Sequence, residues 1–181
     1  MNIMTDVSLP GLFYGSTGWI MAHEIGHTFV KSARDLLFIP DSSEKYKKCV
    51  QDQFNSTCSF FKEKSCDTRD DQFDENGSDI IGHQISFDVM KKKYGNQIYD
   101  IVPGSKYNFT NAQLFFYASN IIGCSRGEVE SSKTGSHHAG NARRNAASVQ
   151  IPDFAEVFKC DENSRMMKSK TEQCDLFGEN S

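Results

Sequence analysis

The stretch from Trp19 to Val30 contains the pattern H-E-x-x-H, formed by His23, Glu24 and His27. Residues four apart share one face of a helix, so the two histidines can present imidazole nitrogens to one ion. Zn²⁺ favours neutral imidazole nitrogen, and Glu24 flanks the same face, close enough to take a proton from a water on the ion. Gly26 has no side chain and lets another element approach. Alone, the stretch is equally compatible with a surface pair or with two satisfied core histidines.

A third ligand is available on a second helix, which opens with Asp74 and carries Glu75 and Asp79 on one face. A hydrolytic zinc site with two histidines needs one more protein ligand and an open position for water. A carboxylate can be that ligand, and its neighbour one turn later can accept a hydrogen bond from a ligating histidine. The alternative is an acidic first turn that interacts favourably with the helix dipole.

The pattern of the remaining chain predicts a mainly α fold without strands. The predicted helices cover 16–33, 43–54, 74–94, Thr110 to Ile122 and Pro152 to Phe158. Ser16 or Thr17 is the predicted cap of the first helix, Thr110 caps the fourth, and Gly95 ends the third. The predicted irregular regions are 1–15 with a turn at Pro10-Gly11, the insert 55–73 and the loop 125–148.

Length and composition indicate one globular domain over residues 1–181, which is long enough to bury a real core. The formal net charge of −4 argues against general nucleic-acid binding, and the short run Lys91-Lys92-Lys93 is typical of a solvated helix face. No apolar run approaches the roughly 20 residues that cross a bilayer. Residues 1–6 have neither the basic nor the apolar region of a signal peptide.

The cysteines nevertheless indicate an oxidising compartment. Six are scattered through the chain without C-x-x-C spacing, at Cys49, Cys58, Cys66, Cys124, Cys160 and Cys174. The glycosylation triplets that begin at Asn55 and Asn108 point the same way. Oxidising chemistry without an export signal leads us to expect that the chain lacks its natural N-terminal part.

Several motifs, taken in order, resemble the neprilysin and endothelin-converting-enzyme family of zinc endopeptidases. They are H-E-x-x-H at 23–27, E-N-x-x-D at 75–79, Q-L-F-F at 113–116, the H-x-P-x-x-x-R-like stretch at 137–143, and the L-P-E-F-A-E-A-F-x-C-like stretch at 151–160. Together they cover most of residues 15–175. The resemblance implies a thermolysin-like zincin catalytic subdomain whose N-terminal lobe is missing, that is, the C-terminal catalytic part of a peptidase.

The resemblance also implies a role for each matching residue. His23, His27 and Glu75 match the ligands of one zinc ion, and Asp79 matches the aspartate that orients a ligating histidine. Three further residues match positions that act on the substrate or the water. Glu24 matches the general base, His137 matches the histidine that stabilises the oxyanion, and Arg143 matches the arginine that contacts substrate backbone. His138 is an alternative to His137, but the spacing to Arg143 favours His137.

The implied function is a zinc-dependent endopeptidase that hydrolyses small peptides with a metal-activated water, outside the cell or at its surface. Membrane anchoring would come only through the missing N-terminal part, and association with other chains through exposed surface. The chain departs from the family at Val30, where the family has an aspartate, at Ala139 for proline, and at Arg144-Asn145-Ala146 for V-N-G. Val30, together with the absence of the family's N-A-x-Y strand that pairs with substrate backbone, favours a second hypothesis, a truncated and weak or inactive zinc-binding relative that acts as an interaction domain.

Family positions finally imply a disulfide pattern. Cys49 pairs with Cys174, while the partners of Cys124 and Cys160 belong to the missing portion. Cys58 and Cys66 are additional to the family pattern and could close a small loop.

Overall fold

The structure, a computed structural model, describes residues 9–35, 40–61, 72–121 and 140–176. As predicted, these segments form a mainly α fold, and their β pairing is limited to an isolated antiparallel bridge between Ile101 and Thr110. The helices are α1 (Pro10–Phe13), α2 (Trp19–Asp35), α3 (Pro40–Phe61), α4 (Phe73–Tyr94), α5 (Asn111–Ile121), α6 (Gly140–Val149), α7 (Phe154–Phe158) and α8 (Arg165–Ser169). A π-helical turn, Tyr14–Gly18, and a 3₁₀ helix, Gly95–Tyr99, complete them. No helix in the described part of the chain combines the length and apolarity needed to cross a membrane.

The long helix α4 runs through the interior, with buried residues on more than one side. It packs against α2, α3 and α6, and it ends as predicted at Gly95, whose φ of 56° suits glycine. The α3-side cluster contains Val30, Tyr46, Val50, Phe54, Phe73, Ile80, Ile81, Ala146, Ala147 and Cys174. The α5-side cluster contains Phe87, Met90, Ile98, Ala112, Phe115, Phe116, Val149, Ile151, Phe154 and Val157. Because α4 contributes to both clusters, its position fixes that of the neighbouring helices.

The start of the chain differs from the prediction. Pro10-Gly11 begins α1 instead of forming a turn, since proline suits the first position of a helix. Helical backbone then continues through the π turn into α2, so neither Ser16 nor Thr17 caps that helix. The buried hydroxyl of Ser16 donates to the carbonyl of Leu12 at 2.5 Å.

Two predicted irregular regions also contain helix. The predicted insert at 55–73 begins as the last turns of α3, and α6 begins within the predicted loop 125–148. In both helices, buried polar side chains find tertiary partners. The amide of Gln53 on α3, for example, donates to Thr57 at 3.0 Å and to the carbonyl of Ser169 at 2.9 Å. Such partners offset the cost of burying polar groups, and local sequence does not reveal them.

The caps and C-terminal elements follow the sequence more closely. Thr110 caps α5 as predicted. Its hydroxyl accepts from the backbone nitrogen of Gln113, and the side-chain oxygen of Gln113 accepts from the backbone nitrogen of Thr110, each at 3.1 Å. The helix predicted from Pro152 is the short α7, which ends at Phe158 as expected. The assignment of residues 1–181 to one domain stays a prediction.

The disulfide predicted from family positions is confirmed. Cys49 on α3 is bonded to Cys174, 125 residues later in the chain. Cys160 is a free thiol, as expected, and Cys58 also takes part in a disulfide. Cys66 and Cys124 lie outside the described residues.

Candidate metal centre

Glycines allow α2 and α4 to cross closely at the predicted site. A Cβ on Gly82 of α4 would lie 2.9 Å from the backbone nitrogen of His23. One on Gly26 of α2 would lie 3.2 Å from the Cα of Ser78, so the close approach expected at Gly26 is present. The H-E-x-x-H turn therefore rests directly on the helix that carries Glu75 and Asp79.

The two glycines are expected to differ in sensitivity. Gly82→Ala forces the His23 backbone to move, and we expect it to lower the free energy of unfolding by about 1–3 kcal/mol and to weaken metal binding. Gly26→Ala has a looser contact, and the higher helix propensity of alanine, worth roughly 1 kcal/mol, offsets it. Urea unfolding of the metal-free protein and a zinc titration of both variants measure this difference in stability and metal affinity. Equal effects of the two substitutions would contradict the expected difference.

The structure brings together one side-chain atom each from His23, His27 and Glu75, and these atoms lie within 4.8 Å of one another. The two Nε2 atoms are 3.1 Å apart. Glu75 places Oε2 at 3.6 Å from Nε2 of His23 and Oε1 at 3.4 Å from Nε2 of His27. Bonds of about 2.0–2.2 Å to a tetrahedral zinc require ligand atoms about 3.3–3.6 Å apart. The nitrogen and carboxylate donors thus have the right type and spacing for Zn²⁺.

Asp79 supports His23 from behind. Its Oδ1 lies 3.0 Å from Nδ1 of His23, in a bent contact, which leaves Nε2 directed at the ligand cluster. Arg143 donates to both oxygens of Asp79, at 2.6 and 2.8 Å, and to Oε2 of Glu75 at 3.2 Å. Burial alone would raise the pKa of Asp79, but the contacts with His23 and Arg143 outweigh it and hold the pKa well below its usual range. Arg143 therefore braces a carboxylate from each turn at the start of α4.

His27 has no comparable support. Its Nδ1 is buried and has no hydrogen-bond partner within the described segments. Val30, three residues later, is fully buried in the α3-side cluster and offers no acceptor. The departure from the family pattern at this position thus coincides with an unpaired imidazole nitrogen.

Val30→Asp is expected to have two opposite effects. A carboxylate in the α3-side cluster should lower the free energy of unfolding of the metal-free protein by roughly 3 kcal/mol. An acceptor for His27 should tighten zinc binding about 10–100-fold, the usual value of such a partner. Chelator competition and urea unfolding measure the two effects.

Val50→Asp is the matched control, because Val50 is equally buried in the same cluster but lies on α3. It should show the stability loss without the gain in metal affinity. If Val30→Asp binds zinc no more tightly than the wild type, the missing acceptor is not the weak point of the site.

The remaining predicted site residues are placed differently. Glu24 is solvent-exposed and directly follows His23 on α2. His137 and its alternative His138 lie outside the described residues, so their role stays a prediction. The role of Arg143 toward substrate also stays a prediction, since its contacts given above are with Asp79 and Glu75.

Sequence reasoning missed three buried residues beside the site: Trp19, His83 and Arg144. The guanidinium of Arg144 lies over the Trp19 ring, 4.3 Å from its centroid, and its Nη1 is 3.8 Å from Oδ1 of Asp79. The His83 ring packs on Trp19, and its Nδ1 lies 2.8 Å from the backbone carbonyl of Asp79. Burial and the nearby charge of Arg144 lower the pKa of His83 to about 4. The only sequence signal was Arg144 itself, at a position where the family pattern has valine.

Two curated proteins that are similar to this chain are neprilysins. Neprilysin-1 of Caenorhabditis elegans is 27% identical over 183 residues, covering 91% of this chain and 24% of that protein. Neprilysin-3 of Drosophila melanogaster is 22% identical over 185 residues, covering 95% of this chain and 23% of that protein. The chain thus spans about a quarter of the length of these curated relatives. No solved structure gave a significant match.

The family comparison covers far more of the chain than any single motif. A family model described as Peptidase family M13 matches residues 10–174. The matched region begins at the first residue of α1, ends at the disulfide cysteine Cys174, and includes His23, His27 and Glu75. On the extent of this match, the chain belongs to peptidase family M13.

Proposed function

We propose that this chain is the catalytic part of a zinc-dependent endopeptidase that hydrolyses peptide bonds of small peptides. The observation that carries the proposal is the spacing of His23, His27 and Glu75, which suits one Zn²⁺ ion. The two Nε2 atoms, 3.1 Å apart, would repel each other through their lone pairs unless a proton or a cation lay between them. Membership of a peptidase family makes a metal ion the better explanation.

The ion, when bound, would polarise a water molecule and the scissile carbonyl. Glu24 is exposed, so its carboxylate is free to take a proton from the attacking water and pass it to the nitrogen of the leaving amine. Asp79 and Arg143 hold His23 and Glu75 in place throughout. We assign stabilisation of the negatively charged carbonyl oxygen to His137, on the family resemblance alone.

A second function is favoured by one observation, that Nδ1 of His27, next to Val30, has no hydrogen-bond partner among the described residues. Loss of such a partner typically costs about 10–100-fold in metal affinity or activity. The alternative is therefore a catalytically weak or inactive zinc-binding relative that acts as an interaction domain. Met21, Ile25 and Phe29 are exposed on α2 at a spacing of four, an apolar stripe that suits association with another protein surface.

We also propose an extracellular or cell-surface location, with any membrane anchor outside this chain. The Cys49–Cys174 disulfide supports an oxidising compartment. Of the glycosylation triplets at Asn55 and Asn108, the one at Asn108 is better suited to a glycan, because Asn108 is exposed in a turn with φ of 55°. The triplet at Asn55 lies within α3, and its Thr57 is fully buried with its hydroxyl bonded to Gln53.

A chelation experiment on the purified chain tests the proposed function. We expect about one zinc per chain and cleavage of internally quenched peptides that stops with 1,10-phenanthroline and returns with added Zn²⁺. Zinc binding without any cleavage would favour the interaction-domain alternative. Absence of zinc binding after metal reconstitution would contradict both functions.

A further inference from the structure

Trp19 stands at the centre of a buried stack beside the metal centre. It is 4% exposed and has three polar neighbours: Arg144, whose Cζ is 4.3 Å from the ring centroid, His83 and His23. The ring centroids of His83 and His23 lie at 5.2 and 5.5 Å from that of Trp19. The stack joins α6 and α4 to the first turn of α2.

Arg144 occupies its place in the stack at a cost. Its side chain is about nine-tenths buried, and neither Nε nor Nη1 has a hydrogen-bond partner in the described part of the chain. Burying a charged group with unmade hydrogen bonds is unfavourable, and an apolar side chain would fill the same space at a lower free-energy cost. What the arginine adds is attraction to the Trp19 ring and to Asp79, 3.8 Å from its Nη1.

The two groups that Arg144 attracts, the Trp19 ring and Asp79, both contact His23. Trp19 precedes His23 by one helical turn, so its ring lies along the same face and restricts the rotation of the imidazole on one side. Asp79 restricts this rotation on another side through its contact of 3.0 Å with Nδ1 of His23. Arg144 is the one cation that touches both the ring and the carboxylate among the residues described around His23.

We propose that Arg144 and Trp19 are positioning residues that hold the His23 imidazole in its metal-binding orientation. This inference rests on the proposed function, because it assumes that His23 binds the metal. Arg144 holds the indole through its contact with the ring and attracts Asp79 through its charge, and both groups contact His23. The stack thereby gives His23 a support that His27 lacks.

The chain carries its own probe of the stack, since Trp19 is its only tryptophan. Co²⁺ titration followed by Trp19 emission and by visible absorption reports metal at His23 and the geometry of its ligands. For Arg144→Met we expect about tenfold weaker Zn²⁺ binding in chelator competition, an altered Co²⁺ spectrum and greater acrylamide quenching of Trp19. Trp19→Leu should weaken Zn²⁺ binding similarly, whereas Trp19→Phe and Arg144→Lys, which keep a ring and a cation, should restore most of it.

Arg165→Met is the matched control, because Arg165 also stacks on an aromatic ring, Phe61, but away from the metal centre. It should leave the Zn²⁺ affinity and the Co²⁺ spectrum unchanged. If Arg144→Met lowers stability but keeps the wild-type affinity and Co²⁺ spectrum, the stack is merely structural and the inference is wrong, while the proposed function stands. A wild type that binds no Zn²⁺ would instead overturn the proposed function, and the inference with it.

Discussion

Glu24→Gln should keep the metal and lose peptide hydrolysis. The substitution removes a proton acceptor without touching His23, His27 or Glu75, and general-base catalysis typically contributes about 10²–10⁴-fold. Because Glu24 is exposed, the free energy of unfolding should stay within about 0.5 kcal/mol of the wild type. Metal content by mass spectrometry, kcat/KM on a quenched peptide, and urea unfolding give the three values.

The contrasting variant is the double substitution His23→Ala/His27→Ala. It removes two of the three ligands, so zinc binding and hydrolysis should disappear together. Equal zinc content in this variant and in the wild type would overturn the assignment of the metal centre. A Glu24→Gln protein that hydrolyses peptide at the wild-type rate would show that another group accepts the proton.

The part of the site that follows from helix periodicity was accessible from the sequence. The i and i+4 spacing places His23 beside His27, and the same rule places Glu75 beside Asp79. That these two pairs face each other did not follow from either helix alone, and the prediction came from the family resemblance. The structure supplies the physical cause, the contact of Gly82 with the His23 backbone and of Gly26 with Ser78.

Helix α6 shows why the rest could not be predicted. The surrounding stretch, 125–148, is rich in Gly, Ser, Arg and His, and on that composition it was interpreted as loop. Its consecutive arginines are buried because carboxylates on α4 and the ring of Trp19 receive them. Helix propensity is a local quantity and does not include such partners, so the fold of this segment depends on tertiary contacts. A tertiary contact also lies at the end of α3, where Arg165 donates to the carbonyl of Phe60 at 2.7 Å.

The C-terminal segment is held in two ways. One is the disulfide between Cys49 and Cys174. The other is a chain of buried amides: Gln150 donates to Gln53 at 2.7 Å and accepts from the backbone nitrogen of Cys174 at 2.7 Å. Gln53 in turn accepts from the backbone nitrogen of Thr171 at 3.0 Å. The amides fix the folded position of the segment, whereas the disulfide acts mainly on the unfolded chain.

Replacing the bridge by Cys49→Ala/Cys174→Ala should therefore lower the free energy of unfolding by about 4–5 kcal/mol, the chain-entropy value for a loop of this length, while the folded structure persists. The circular dichroism of the folded variant should match that of the wild type, because the amide contacts of Gln53 and Gln150 remain. Cys160→Ala is the control: its thiol is free, so the loss should be much smaller. Peptide mapping without reduction should recover Cys160 alkylated and Cys49 linked to Cys174. A loss below about 1 kcal/mol in the double variant would mean that the loop is already constrained in the unfolded chain, and that the buried amides hold the segment without the help of the disulfide.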